Sequence, residues 1–195
     1  MKKRDIQSKL KKSIFIFLVG IASVFAQDAK VITSESKVTV DGTSNIHDWT
    51  IEAKTMNGAV NYTKEAGELK SINKLDFYVD VNQLKSGKKG MDENTVKALD
   101  GKINKTIAFK LTKVLKITKT DENTFTVDAQ GNLTVKGKTK LINQTFTVKL
   151  VGNKIIFSGK QKIDMTTFGV EPPKALLGSI KTGKDVTVNF KVTYN

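Results

Sequence analysis

The chain carries very little that could do covalent or proton-transfer chemistry. It has one histidine, His47, and no cysteine. A serine triad needs a nucleophile and an acid arranged about a histidine, and neither order nor spacing singles out a serine as the partner of His47. The stretch Gly87-Lys88-Lys89-Gly90 has the composition of a phosphate-cradling loop but not its spacing, and reads as a solvated loop. No HExxH zinc motif occurs. Asp76 and Asp80 share one face of an alternating segment, which reads as solvated surface. This inventory predicts no catalytic residue, no metal site and no enzyme. What remains is His47 beside Trp49, in Thr43-Ser44-Asn45-Ile46-His47-Asp48-Trp49. If a strand begins by residue 47, imidazole and indole point to the same face. Two readings stand: a buried histidine hydrogen-bonded to backbone near Asp48, or a contact for the head group of a ligand whose tail lies deeper.

The elements that would position such a site are strands. From residue 38 onward apolar and polar residues alternate with period two, the mark of half-buried strands. Val38 and Val40 begin the series, and Trp49, Ile51 and Ala53 follow. Leu75, Phe77, Val79 and Val81 form a third run, and Ile107, Phe109 and Leu111 a fourth, with a phase-shifting bulge at Val114-Leu115. Phe125 to Val135 holds one odd-numbered phase straight through Gly131-Asn132, so it reads as one long strand with a bend. Turns fall at Gly137-Lys138 and Gly152-Asn153. The runs Ile142–Leu150, Ile155–Met165 and Val186–Tyr194 complete eight strands. The expected fold is all-β: an eight-stranded antiparallel barrel, the size at which an interior can hold one small ligand. One insertion, residues 86–101, reads as a short helix with Asp92 as N-cap, Met91 and Val96 as its staple, and Gly101 at its end. Residues 169–184 read as an irregular segment folded over a barrel mouth.

The inward phase is rich in phenylalanine. Phe77, Phe109, Phe125, Phe146, Phe157 and Phe168 fall on it, with Val79, Leu111, Val127, Leu133, Val148, Ile163 and Met165 beside them. These thirteen residues are the candidate lining of an apolar tunnel, with His47 and Trp49 at its end. Gly131, Ala129 and Gly159 share that phase and either leave room or let the barrel bend. A core filled by ordinary packing is the alternative. It leaves a structural or adhesive protein whose working surface is its lysine-rich exterior.

Composition places the molecule. Met1 to Lys12 is basic, Ile14 to Phe25 is apolar, and Val24 and Ala26 stand at −3 and −1 of a cleavage site. This is the pattern of a secretory signal peptide, so residues 1–26 are expected to be a leader and 27–195 a single domain, periplasmic or secreted. Without cysteine it is not a lipoprotein. The net charge is +14, yet the only arginine is Arg4, so every cation of the domain is lysine. Guanine and phosphate readers favour the bidentate guanidinium, and nucleic acid is not an expected partner. An anionic membrane surface fits a lysine-rich face better.

Three stretches resemble a known family. They are Gly42 to Trp49 (GTSNIHDW); Leu84-Lys85-Ser86-Gly87 with Met91-Asp92, Ala98-Leu99 and Ile107-Ala108-Phe109; and Gly131 to Gly137 with Phe168-Gly169-Val170. The chain is similar to the YceI-like family of lipocalin-like, polyisoprenoid-binding proteins, in a subgroup marked by His-Asp-Trp. The resemblance implies a lipocalin-like barrel with an elongated apolar tunnel and no cofactor beyond the bound lipid. It further implies an isoprenoid or quinone-type lipid as ligand, and a homodimer.

Overall fold

Alternating burial along most of the chain makes strands its dominant element. The computed structural model describes residues 25–175 and 178–195. The residues read as a leader lie outside them up to residue 24, as do Leu176 and Leu177 of the irregular segment. The strands are β1 (Phe25–Lys30), β2 (Lys37–Ser44), β3 (Trp49–Ala53), β4 (Met56–Glu65), β5 (Glu68–Asp80), β6 (Leu84–Lys85), β7 (Thr106–Asp121), β8 (Thr124–Val135), β9 (Lys138–Val151), β10 (Lys154–Asp164), β11 (Lys174–Ala175) and β12 (Ile180–Tyr194). Among the described residues one α-helix, α1 (Lys89–Ala98), lies between β6 and β7, and a 3-10 turn, Met165–Phe168, follows β10.

Eleven strands follow one hydrogen-bonded order, β1-β4-β5-β7-β8-β9-β10-β12-β2-β3-β6, and β11 pairs with β12. The expected count of eight is thereby corrected. All eight predicted runs are strands, but β1, β4, β6 and β11 are additional. In β4, Met56, Gly58, Val60 and Tyr62 are buried in strict alternation. Gly58 on the inward face and Ala59 on the outward one blur that period, and asparagine and glycine also disfavour strands. The expected cleavage point after Ala26 falls inside β1, whose pairing with β4 begins at Phe25.

The sheet curls round an interior. Only Lys54 and Thr55 separate β3, near one end of the order, from β4, near the other. Val31 bridges Tyr194 at the end of β12. The wall is incomplete, since β5 pairs with β7 only through Asp76–Asp80. Beyond that point β7 runs on with β8 as a hairpin, and Lys119 reaches Glu68 at 2.7 Å.

Several local expectations hold. β8 pairs with β9 over its whole length, through Gly131-Asn132. Register shifts in β7 fall on either side of Val114. The β8–β9 turn sits one residue earlier than expected, at Lys136 (φ 49°) and Gly137 (φ 72°), the doubly left-handed geometry of a tight hairpin. The helix is where it was expected but differently capped. Lys88 is its N-cap, without a side-chain cap bond. Asp92 lies inside the first turn and accepts from the backbone N–H (2.7 Å) and Oγ (2.6 Å) of Ser86, which lowers its pKa. At the other end Asp100, not Gly101, takes the left-handed conformation (φ 50°).

Burial divides the interior into two halves. At the end where β8 and β10 begin and β9 finishes, Phe125, Val127, Val148 and Ile155 are essentially inaccessible and pack as a solid core with Val60 and Tyr62. The opposite half is hollow.

Candidate functional site

The hollow half is a cavity of about 540 Å³, within the range of small-molecule sites. Its mouth is marked by lining residues that are also exposed, Ile46, His47, Lys88 and Lys174. Its floor is aromatic: Phe146 and Phe157 meet at 5.4 Å between ring centroids, and Phe157 meets Tyr194 edge-on at 5.3 Å. Burial pushes the Tyr194 phenol up from its ordinary pKa, with a smaller contribution from the Asp76 charge. A filled barrel is therefore not what the fold provides.

Two elements close the mouth side. Helix α1 and its C-cap Leu99 turn Met91, Asn94, Thr95, Ala98 and Leu99 to the cavity, the i, i+3, i+4, i+7, i+8 stripe of an amphipathic helix. The 3-10 turn after β10 brings in Met165 and Phe168. Asp164 pins this turn. Its carboxylate accepts from the Thr166 backbone N–H (2.9 Å) and Oγ1 (2.5 Å), and from Lys184 Nζ (2.7 Å). Lys184 first and Thr166 second hold the carboxyl at about 2.

Of the predicted lining, Phe77, Val79, Phe109, Leu133, Phe146, Phe157, Ile163, Met165 and Phe168 surround the cavity, together with His47 and Trp49. Four residues do not. Phe125, Val127 and Val148 belong to the solid half, and Leu111 packs against the core from the partly buried stretch of β7. Alternation gives all four the right face, but Phe125, Val127 and Val148 lie at or below the level of the aromatic floor, and Leu111 sits just past the point where β7 leaves β5.

The small residues also act differently from the expectation that they leave room. A Cβ on Gly131 would collide with the Phe109 ring, and one on Gly42 with the Trp49 indole. One on Gly159 would lie 2.8 Å from Phe190 Cζ. Each glycine is covered by an aromatic ring of the neighbouring strand, and all three rings line the cavity. A ring laid on bare backbone stays flat against the wall, so the space lies over the rings, not over the glycines. Ala129 is 1% exposed and packed.

His47 lies in the loop before β3 and is exposed, not buried. Its Nδ1 is 2.9 Å from the Asp48 carbonyl. A carbonyl only accepts, so Nδ1 carries the proton and Nε2 is the nitrogen left to meet a ligand or water. The Trp49 indole N–H donates to the Thr43 carbonyl (3.0 Å), so Trp49 offers the cavity only its ring. Sequence reading passed over two further lining residues, Gln144 and Gln161. Gln144 sits on the inward phase of β9 between Ile142 and Phe146 and is 7% exposed. Among the described residues no three histidines or carboxylates gather as a metal site would require.

No curated protein matches the chain by sequence. The fold has close counterparts among solved structures. BcnA of Burkholderia cenocepacia superposes with a TM-score of 0.66 at 19% identity, over 84% of this chain and 98% of that one. A polyisoprenoid binding domain from Saccharophagus degradans, implicated in plant cell wall breakdown, gives 0.68 at 14% identity, over 86% and 97%. The YceI protein of Campylobacter jejuni gives 0.53 at 19% identity, over 77% and 82%. The YceI-like domain model matches residues 29–194, nearly the whole of the curled sheet, and the chain belongs to the YceI-like domain family.

Proposed function

We propose that this protein is an exported carrier or store for an isoprenoid or related apolar lipid, a quinone-type lipid included, held in the cavity between α1 and the aromatic floor. The observation that carries this reading is the contrast within one barrel. One half is packed to near-zero exposure, and the other keeps about 540 Å³ open behind almost wholly apolar walls. Burying a hydrocarbon chain there contributes roughly 0.8 kcal/mol per CH₂. The family and the polyisoprenoid-binding Saccharophagus domain support the same class of ligand. The leader pattern supports export to the periplasm or beyond. On this reading the lipid is bound and released unchanged.

The test is to purify the protein from the cell envelope, record its native mass, and extract it with organic solvent. The expected result is a mass increment that disappears on extraction, with a prenyl lipid in the extract. Protein that carries no apolar molecule and retains no added prenyl lipid overturns the reading.

A further inference from the structure

Resting on that reading, we propose that Gln144 and Gln161 form an interior pair of hydrogen-bond acceptors that selects a lipid carrying a hydroxyl donor. The two residues lie on adjacent strands, β9 and β10, and both line the cavity. Amide oxygen and nitrogen are told apart by the groups they meet. Gln144 Nε2 lies 2.7 Å from the Thr145 carbonyl and 3.4 Å from the Lys160 carbonyl. Carbonyls only accept, so the NH₂ group must be on that side and both of its hydrogens are engaged. Gln161 repeats the arrangement, its Nε2 donating to the Lys162 carbonyl at 3.1 Å. The two side-chain oxygens accept no hydrogen bond among the described residues. Gln144 is more than nine-tenths buried, yet its oxygen is not sealed off, since no buried side-chain oxygen or nitrogen of the described residues lacks a partner. The surface left to that oxygen is the cavity it lines.

An acceptor facing an apolar cavity is poorly compensated until a donor arrives. A carbonyl, an ether or a plain hydrocarbon brings none, whereas a hydroxyl does. The position is also informative. Gln161 precedes the mouth end of β10 by three residues, about 10 Å of strand. Phe146, Phe157 and Tyr194 lie below it. The hydroxyl is thus met inside the barrel and not at the rim beside His47.

The experiment is a native mass spectrometry titration of the full-length protein with geranylgeraniol and with its methyl ether, which share a skeleton and differ in the donor. The ratio of the two affinities is compared between wild type, Gln144→Leu and Gln161→Met. One net hydrogen bond is worth roughly 2- to 10-fold in affinity, so the alcohol-to-ether ratio is expected to fall by that factor in each variant. The ether reports that the pocket is still formed. If Gln144→Leu weakens the link to β10 and loses both ligands, Gln161→Met decides, because its amide donates only to the next residue's carbonyl. An unchanged ratio in folded variants that still bind the ether overturns the selectivity while leaving lipid binding intact. Failure of wild type to retain either ligand overturns the binding reading itself.

Discussion

Replacing Gly159 by alanine tests how the cavity is kept open. The added Cβ would sit 2.8 Å from Phe190 Cζ, 3.3 Å from the Thr145 carbonyl oxygen and 3.4 Å from Phe146 Cβ. Carbon atoms rest at about 3.5–4.0 Å, so the Phe190 ring must retreat by about 1 Å, and the cavity it lines is the space open to it. Overpacking a solid core costs about 1–3 kcal/mol. Here the ring has room, so the low end is expected, about 1 kcal/mol, or a Tm lower by about 2–4 °C for a domain of this size. The larger effect falls on the ligand. Displacing one or two methylenes of lipid loses about 0.8 kcal/mol each, a 4- to 15-fold weaker Kd. The assay is a prenyl-lipid titration beside thermal unfolding for Gly159→Ala, Phe190→Leu and the double variant. The smaller leucine should restore binding in the double variant, giving a coupling energy that neither single change contains. If Gly159→Ala binds like wild type, or if its loss is additive with Phe190→Leu, the ring does not control the cavity and the argument fails.

Other perturbations separate the two halves. Phe125→Ala should cost about 3–5 kcal/mol in urea unfolding because its site is solid, while lipid affinity in the folded variant stays within twofold; a selective loss of affinity would mean the cavity reaches further than its floor. Tyr194 binds its proton more tightly folded than unfolded, so stability is complete below the ordinary tyrosine pKa of about 10 and falls above it by up to about 1.4 kcal/mol per pH unit. Tyr194→Phe should flatten that alkaline slope relative to wild type in urea titrations between pH 9 and 11. Asp164 behaves oppositely. Its folded pKa of about 2 lies below the unfolded value, so its contribution is present above about pH 4 and is lost as pH falls through 2. Protection of the Met165–Phe168 amides against exchange, taken relative to their intrinsic rates, should fall over that window, and in Asp164→Ala it should be low already at neutral pH.

The sequence revealed strands wherever apolar residues alone mark the inward phase, as in β8. It concealed β4, where inward Gly58 and outward Ala59 blur the alternation although Val60 and Tyr62 are almost fully buried. It also could not say which inward residues meet the cavity. Phe125 and Leu133 share a strand, a face and an apolar character, and differ only in height, which depends on where the floor falls. Gln144 was passed over because it interrupts an apolar phase. Helix α1 was legible as a helix, but its stripe from Met91 to Leu99 gained a role only when the connection folded across the mouth.

The glycines show why height and register matter together. Gly42 pairs directly with Trp49, and Gly159 with Phe190, while Gly131 sits one step diagonally from Phe109. In each case the partner is a large aromatic on the cavity face, and in each case bare backbone lets the ring lie flat. No such pair occurs among Phe125, Val127, Val148 and Ile155, and that half of the barrel is solid. Single-strand patterns contain the glycines and the aromatics separately. The hollow depends on their being neighbours across strands, and a one-residue slip in any of these pairings would turn the ring to the other face of the sheet. Cross-strand register, more than the number of small inward residues, is what keeps the cavity open.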